Sequence, residues 1–77
     1  MQVTISIFGQ LTDITGSNSI ILKDVADTDA LTNYLNRQYP SLCDCTYLIA
    51  VDKEVILTNT RLTDNCNVAL LPPYAGG

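Results

Sequence analysis

Histidine is absent from the 77-residue sequence, and cationic side chains are few. Without an imidazole, the chain cannot use histidine-based acid–base catalysis, Ser-His-Asp or Cys-His nucleophile systems, or histidine-containing metal sites. Lys and Arg number 4 against 8 Asp and Glu, which gives a net charge of −4. This is the wrong sign for binding a phosphate backbone, so we expect no nucleic-acid partner. An acidic surface suits instead a partner with a basic docking face.

Cysteine is scarce and odd in number, with only Cys43, Cys45 and Cys66. Three cysteines cannot form a complete disulfide framework, which favours a reducing, cytoplasmic setting. The spacing of Cys43-Asp44-Cys45 is not Cys-x-x-Cys, and no histidine can complete a metal site, so packing or chance explains it better. A reactive role for the Cys66 thiol stays open as an alternative. No metal is expected.

Long hydrophobic runs are also missing. None approaches the roughly 18–20 apolar residues that span a membrane, and residues 1–7 lack the cationic stretch of a signal peptide. At 77 residues and 47% hydrophobic content, the chain fits one small domain. A core of this size leaves no room for a deep, enclosed active site.

Residue patterns predict five strands and one helix. Asp27 or Thr28 can cap the helix, and Pro40 ends it. The predicted helix face carries Leu31, Tyr34, Leu35, Gln38 and Tyr39. Alternation or short apolar runs predict strands at residues 2–7, 19–23, 47–51, 55–57 and 68–71. A turn is predicted over residues 9–18 and a loop over 58–67, anchored by Leu62. This order predicts an α+β fold with a mixed sheet and one helix across one face.

The residues after Leu71 form the most informative segment, and we predict a domain over 1–71 and an extended, flexible C-terminal tail over 72–77. The tail comprises Pro72, Pro73, Tyr74, Ala75, Gly76 and Gly77. Consecutive prolines cannot donate hydrogen bonds to a sheet, so they direct the chain away from the last strand. Two glycines can thread a narrow channel, and the terminal carboxylate of Gly77 can attack an activated phosphate. A frayed, idle chain end is the alternative, which the two prolines disfavour.

Strand alternation predicts which residues near the tail face outward. Phe8 lies on the face opposite that of Val3, Ile5 and Ile7, and Leu71 lies opposite Val68 and Leu70 if those two belong to the core. Exposed apolar groups that cluster often mark an interface. We therefore predict that Phe8, Leu71 and the tail form a partner interface.

The predicted order of elements and the ending Val68-Ala69-Leu70-Leu71-Pro72-Pro73-Tyr74-Ala75-Gly76-Gly77 resemble the ubiquitin-like β-grasp sulfur carriers. The likeness is greatest to the small subunits of molybdopterin synthase, and extends to Ile7-Phe8-Gly9 and Ala50-Val51-Asp52. The sequence departs from the family at Thr12-Asp13, where members often have Arg-Glu, and at Asp64-Asn65-Cys66-Asn67, where a glycine-containing acidic turn is usual. Asn65 can replace that glycine because asparagine tolerates a left-handed backbone.

The resemblance implies a function and a set of partners. An E1-like adenylyltransferase would use ATP to adenylate Gly77, and a sulfurtransferase would convert the adenylate into a thiocarboxylate. The tail would then enter the active site of the molybdopterin synthase large subunit, in a heterotetramer, and donate sulfur to a pyranopterin precursor. The resemblance implies no stably bound cofactor and places the catalytic side chains on the large subunit. The alternatives are a carrier for thiamine thiazole synthesis, a ubiquitin-like protein modifier, or a plain binding module.

Overall fold

A computed structural model describes residues 2–72 and shows a mixed sheet with one main helix. The strands are β1 (Gln2–Ile7), β2 (Ser19–Lys23), β3 (Leu48–Val51), β4 (Glu54–Ile56) and β5 (Cys66–Leu71). The α-helices are α1 (Leu11–Thr15) and α2 (Thr28–Gln38), and a 3₁₀ helix spans Pro40–Asp44. The α+β, ubiquitin-like β-grasp fold is thereby confirmed.

The sheet has five strands in the order β2-β1-β5-β3-β4. β1 pairs in parallel with β5 at the centre, from Val3↔Cys66 to Ile7↔Leu70, and the other neighbours pair antiparallel. The predicted alternation of β1 is confirmed, because every second residue from Val3 to Ile7 is buried. One face of the sheet therefore belongs to the core, and the other faces away from it.

The core lies between this sheet and α2, which contributes Thr28, Leu31 and Leu35 as buried residues. The predicted helix face was too wide, because Tyr34 is 40% exposed and Gln38 is exposed too. A helix that packs against one sheet needs only a narrow stripe of buried side chains, spaced three or four residues apart. The buried apolar cluster comprises Val3, Ile5, Ile7, Leu11, Leu22, Val25, Leu31, Leu35, Leu42, Leu62, Cys66, Val68 and Leu70.

Several predicted boundaries were wrong. The turn predicted over residues 9–18 contains α1, whose Leu11 and Thr15 are buried and whose end is capped by Gly16 in the left-handed conformation. Pro40 does not only end α2, since it also begins the 3₁₀ helix. The loop predicted up to residue 67 ends earlier, because β5 begins at Cys66, although Leu62 is buried as expected. Leu57 lies beyond the end of β4.

Two tight turns use residues with positive φ. Asp52 and Lys53 connect β3 to β4 with φ values of 49° and 74°, as a two-residue type I′ hairpin turn requires. Asn65 has a φ of 63°, which confirms the left-handed backbone predicted from the sequence. Asp52 also holds the hairpin against β5, because its N–H donates to the Asn67 carbonyl at 2.8 Å and its Oδ1 accepts from the Asn67 N–H at 3.0 Å.

The N-terminus of α2 is capped from two directions. Asp27 is the N-cap, as predicted, and its Oδ1 accepts a hydrogen bond from the Ala30 N–H at 2.9 Å. Asn59, from the segment between β4 and β5, accepts from the Asp29 N–H at 2.9 Å and from the Thr28 hydroxyl at 3.2 Å. Its Nδ2 donates to the Asp27 carboxylate at 3.3 Å. One asparagine thus joins a distant segment to the start of the helix.

Within residues 2–72, no helix combines the length and the apolar composition needed to cross a bilayer.

The double capping of α2 predicts a loss of stability in Asn59→Ala. This variant loses three side-chain hydrogen bonds and exposes helix N–H groups, so we expect the free energy of unfolding to fall by about 1–2 kcal/mol. Urea unfolding measures the change, with Asn33→Ala on an exposed position of α2 as the matched control. Equal stability of the two variants would contradict the proposed role of Asn59.

The Asp27 carboxylate predicts a pH dependence of stability. The hydrogen bond from Ala30, followed by that from Asn59 and the charge of Arg61, holds the pKa of Asp27 below its ordinary value of 3.8. A carboxyl whose pKa is lower in the folded state stabilises the fold above its unfolded pKa, and this contribution is lost as the pH falls through the folded pKa.

Asp27→Asn removes the titrating group, so acidification from pH 7 to about pH 2 should reduce its free energy of unfolding less than that of the wild type. Urea unfolding at both pH values measures the difference. An equal loss in both proteins would show that Asp27 does not carry this pH dependence.

Candidate functional site

The end of β5 is the point from which the predicted tail leaves the sheet. β5 ends at Leu71, and Pro72 follows it outside any strand. The ring of Pro72 lies against Gly9, where an added Cβ would come within 2.9 Å of the Pro72 Cγ. Pro72 is therefore held beside the end of β1. Pro73, Tyr74, Ala75, Gly76 and Gly77 lie outside the described residues, so the tail itself stays a prediction.

An apolar row crosses the sheet at this end, on the face turned away from α2. The row consists of Phe8, Leu71 and Leu48. Leu48 pairs with Leu71 across β3 and β5, and the Phe8 N–H donates to the Leu70 carbonyl at 3.2 Å, which continues the β1–β5 register beyond Ile7. The register thus brings three side chains together that are far apart in sequence.

The exposure of this row is unusual for large apolar side chains. Phe8 is 48% exposed and Leu48 is 37% exposed, whereas Leu71 is half-buried. A small domain can tolerate single exposed leucines, but a cluster of them marks a surface that another molecule covers. The apolar row is therefore the strongest candidate for a docking surface within residues 2–72.

A second line of smaller side chains runs beside the apolar row on the same face. Ala69 pairs with Ala50, and Ala50 pairs with Val55, which is 51% exposed. Ala50 is only 5% exposed, so Val55 and the half-buried Ala69 supply the accessible surface of this line. We call the apolar row and these three residues together the outer face.

The structure places two of the sequence-predicted site residues next to each other. Val68 and Leu70 are buried, as the prediction assumed, so Leu71 and Phe8 both point to the opposite face. Leu71 is half-buried rather than fully exposed because Leu48 pairs with it. Their role in binding stays a prediction. Sequence reasoning missed Leu48, because the apolar run around it gave no indication of which side chains face outward.

The cysteines do not form a chemical site within the described residues. Cys43 is exposed, Cys45 is half-buried and Cys66 is buried, and all three are free thiols. Burial raises the pKa of Tyr47 above its ordinary value of 10.0, so Tyr47 is a neutral phenol at pH 7. Among residues 2–72 there is no group of three or more His, Cys, Asp or Glu side chains arranged to hold a metal ion.

A shallow groove lies next to the start of the tail. Gln10, Leu11, Asp13, Ile14, Cys45, Thr46 and Pro72 line it. Its polar side chains come from α1 and from the residues after the 3₁₀ helix. The described surface around Pro72 thus offers contacts for binding, whereas the chemistry predicted from the sequence resides in the terminal glycine.

Solved structures share the whole fold of this chain. A molybdopterin converting factor subunit 1 from Pyrococcus furiosus superposes with a TM-score of 0.83 at 18% identity, covering 95% of this chain and 98% of that one. Subunit 1 in a complex of subunits 1 and 2 of the molybdopterin-converting factor from Helicobacter pylori matches with a TM-score of 0.77 at 26% identity, and each chain is covered completely.

The small archaeal modifier protein 1 from Methanosarcina acetivorans is similar too, with a TM-score of 0.78 at 23% identity. That match covers 99% of this chain and 96% of the archaeal protein. No match was found among curated protein sequences. A profile described as the ThiS family matches residues 5–77, which is nearly the whole sequence and extends through the glycine pair. The chain therefore belongs to the ThiS family of ubiquitin-like sulfur carriers.

Proposed function

We propose that this chain is the sulfur-carrying small subunit of a molybdopterin synthase. The observation that carries the proposal is the apolar row at the exit of the tail, since a carrier whose terminus enters a partner needs a docking surface there. The likeness to subunit 1 of the Helicobacter pylori converting factor, which was solved with subunit 2, supports a large-subunit partner. Among the carriers that this chain resembles, those of thiamine thiazole synthesis usually lack a Pro-Pro pair. Pro72-Pro73 before Gly76-Gly77 therefore favours the molybdopterin pathway.

The proposed chemistry takes place at the Gly77 carboxylate. One carboxylate oxygen attacks the α-phosphate of ATP in the activating enzyme, and pyrophosphate leaves, which gives an acyl adenylate. A persulfide on a sulfurtransferase then attacks the carbonyl carbon and displaces AMP, and a second thiol reduces the resulting acyl disulfide, which leaves the sulfur on Gly77 as a thiocarboxylate and forms a disulfide with the sulfurtransferase. In the large subunit, this sulfur is transferred to the pyranopterin precursor, and Gly77 regains a carboxylate when water supplies the oxygen. ATP is thus a substrate of the activating enzyme.

The charge of the chain fits such a shared carrier. At a net charge of −4, it favours association with basic surfaces, and this attraction raises association rates more than affinity. A carrier must leave the activating enzyme before it can bind the synthase, so fast association combined with modest affinity is useful. The outer face would be used by both partners in turn.

Protein modification is the second candidate function. It is favoured by the likeness to small archaeal modifier protein 1 from Methanosarcina acetivorans and from Haloferax volcanii. Both functions begin with an activated Gly77, and they differ in the acceptor, which is a pterin in one and a lysine amine in the other. Covalent ladders on cellular proteins would favour the modifier.

Intact mass spectrometry tests the sulfur-carrier chemistry. The protein is incubated with ATP, a molybdopterin-pathway activating enzyme and a sulfur source, and its C-terminal fragment is then weighed. We expect a mass change equal to one oxygen-to-sulfur exchange, located on Gly77. The Gly77 deletion is the control and should stay unchanged. No change in the wild type, with the enzyme shown to be active on another carrier, would contradict the proposal.

Charge substitutions on the apolar row test the docking surface. Phe8→Asp and Leu71→Asp each place a carboxylate in a contact that must lose water, so we expect affinity for the synthase large subunit to fall about 30-fold or more. Ile21→Asp is the matched control, because Ile21 is 57% exposed in β2, next to Thr4 and away from the tail. Calorimetry measures affinity, and thermal unfolding confirms that each variant is folded. Equal losses in all three variants would argue against the apolar row.

A further inference from the structure

The segment between β1 and α1 fixes Gly9 in place against the sheet. On one side, the Phe8 N–H donates to the Leu70 carbonyl at 3.2 Å. On the other side, the Gly9 carbonyl accepts from the Thr12 N–H at 3.2 Å and from the Thr12 hydroxyl at 2.9 Å. Gly9 is therefore bracketed by hydrogen bonds to β5 and to α1, so its Cα has a defined position at the end of the sheet.

Two constraints favour glycine at position 9, and the second is the contact with Pro72 at the start of the tail. Its φ of +61° lies in the left-handed region, which L side chains rarely adopt. In addition, a Cβ at this position would lie 2.9 Å from Cγ, 3.6 Å from Cδ and 3.8 Å from Cβ of Pro72. Carbon atoms in contact are normally about 3.5–4.0 Å apart, so the Pro72 ring occupies space that only glycine leaves open.

We propose that Gly9 is a positioning residue that sets the direction in which the tail leaves the sheet. Because Gly9 has no side chain, the Pro72 ring can pack directly against its Cα. The ring also fixes φ at residue 72. The residue before each proline is held in an extended conformation, so Leu71 and Pro72 have few alternatives once the ring is seated. The contact at Gly9 thereby limits the directions in which the chain can leave β5.

The inference rests on the proposed function for its consequence in catalysis. A change in the direction of the chain at Pro72 changes the point and the angle from which the tail starts toward the active site of a partner. A misplacement of about 1 Å at a reacting centre can reduce a rate about 100-fold. Gly9 would thus affect the chemistry of Gly77 without any contact with the reacting atoms.

Gly16 provides a control for backbone strain within the same chain. It has a φ of +73°, and no heavy atom lies within 4 Å of the position that a Cβ would take. Gly9→Ala and Gly16→Ala therefore impose a similar left-handed strain on an alanine, but only Gly9→Ala collides with Pro72. Any difference between the two variants in the behaviour of the tail isolates the contact with the ring.

The kinetic test is a double-mutant cycle between Gly9 and Pro72, with thiocarboxylate formation on Gly77 as the reaction. We expect Gly9→Ala to lower kcat about 10–100-fold with little change in KM, because docking through the outer face is kept. Gly16→Ala should retain the wild-type kcat. Pro72→Ala removes Cγ and Cδ and leaves only the contact at 3.8 Å, so Gly9→Ala should add no further loss in that background. An equal loss with proline or alanine at position 72 would overturn the proposal.

NMR tests the geometry without any enzyme, so the inference is decided even if the proposed function fails. In the full-length wild type, we expect nuclear Overhauser effects between the Gly9 α-protons and the Pro72 ring protons. We also expect a residual dipolar coupling for the Tyr74 amide that Gly9→Ala changes and Gly16→Ala does not. Absence of the Gly9–Pro72 effects, or a Tyr74 coupling that is the same in Gly9→Ala as in the wild type, would overturn the proposal. If both NMR results are as expected but no thiocarboxylate forms on Gly77, only the proposed function is rejected.

Discussion

The parallel pairing of β1 with β5 is the contact on which the rest of this structure depends. It buries Ile5 beside Val68 and Ile7 beside Leu70, in the core. Parallel strands cannot be joined by a hairpin and need a long crossover, which here contains every other helix and strand. The same register continues outward and sets Phe8 beside Leu71. The pairing thus forms the hydrophobic core and also assembles the candidate site.

The fold uses its main helix to cover only one face of the sheet. α2 packs on the core face, and the outer face stays open to solvent within the described residues. Exposed apolar area favours association, and the net charge of −4 opposes self-association through repulsion between copies. Under the proposed function, this combination suits a carrier that must bind one partner after another. In an interface of this kind, a few apolar side chains supply most of the affinity, and complementary charge raises the association rate.

Local patterns were sufficient to predict much of the fold, whereas contacts between distant segments were not. The strand at residues 2–7 and the Asp27 cap follow from alternation and side-chain chemistry, which act over a few residues. Phe8 and Leu71 were predicted to face outward from alternation alone. Leu48 was missed because its place beside Leu71 depends on the register between β3 and β5. The Gly9–Pro72 contact joins opposite ends of the chain, so no local pattern indicates it.

The buried thiol of Cys66 is a natural probe of the opening of the sheet. Cys66 begins β5 and pairs with Val3, and its side chain is only 3% exposed. A thiol reagent can reach it only when the central strands separate, so its rate of alkylation under native conditions reports how often they do. Cys43 is exposed and reacts without any opening, which provides an internal reference in the same molecule. One labelling experiment on the unmodified chain therefore reports how often the start of β5 opens.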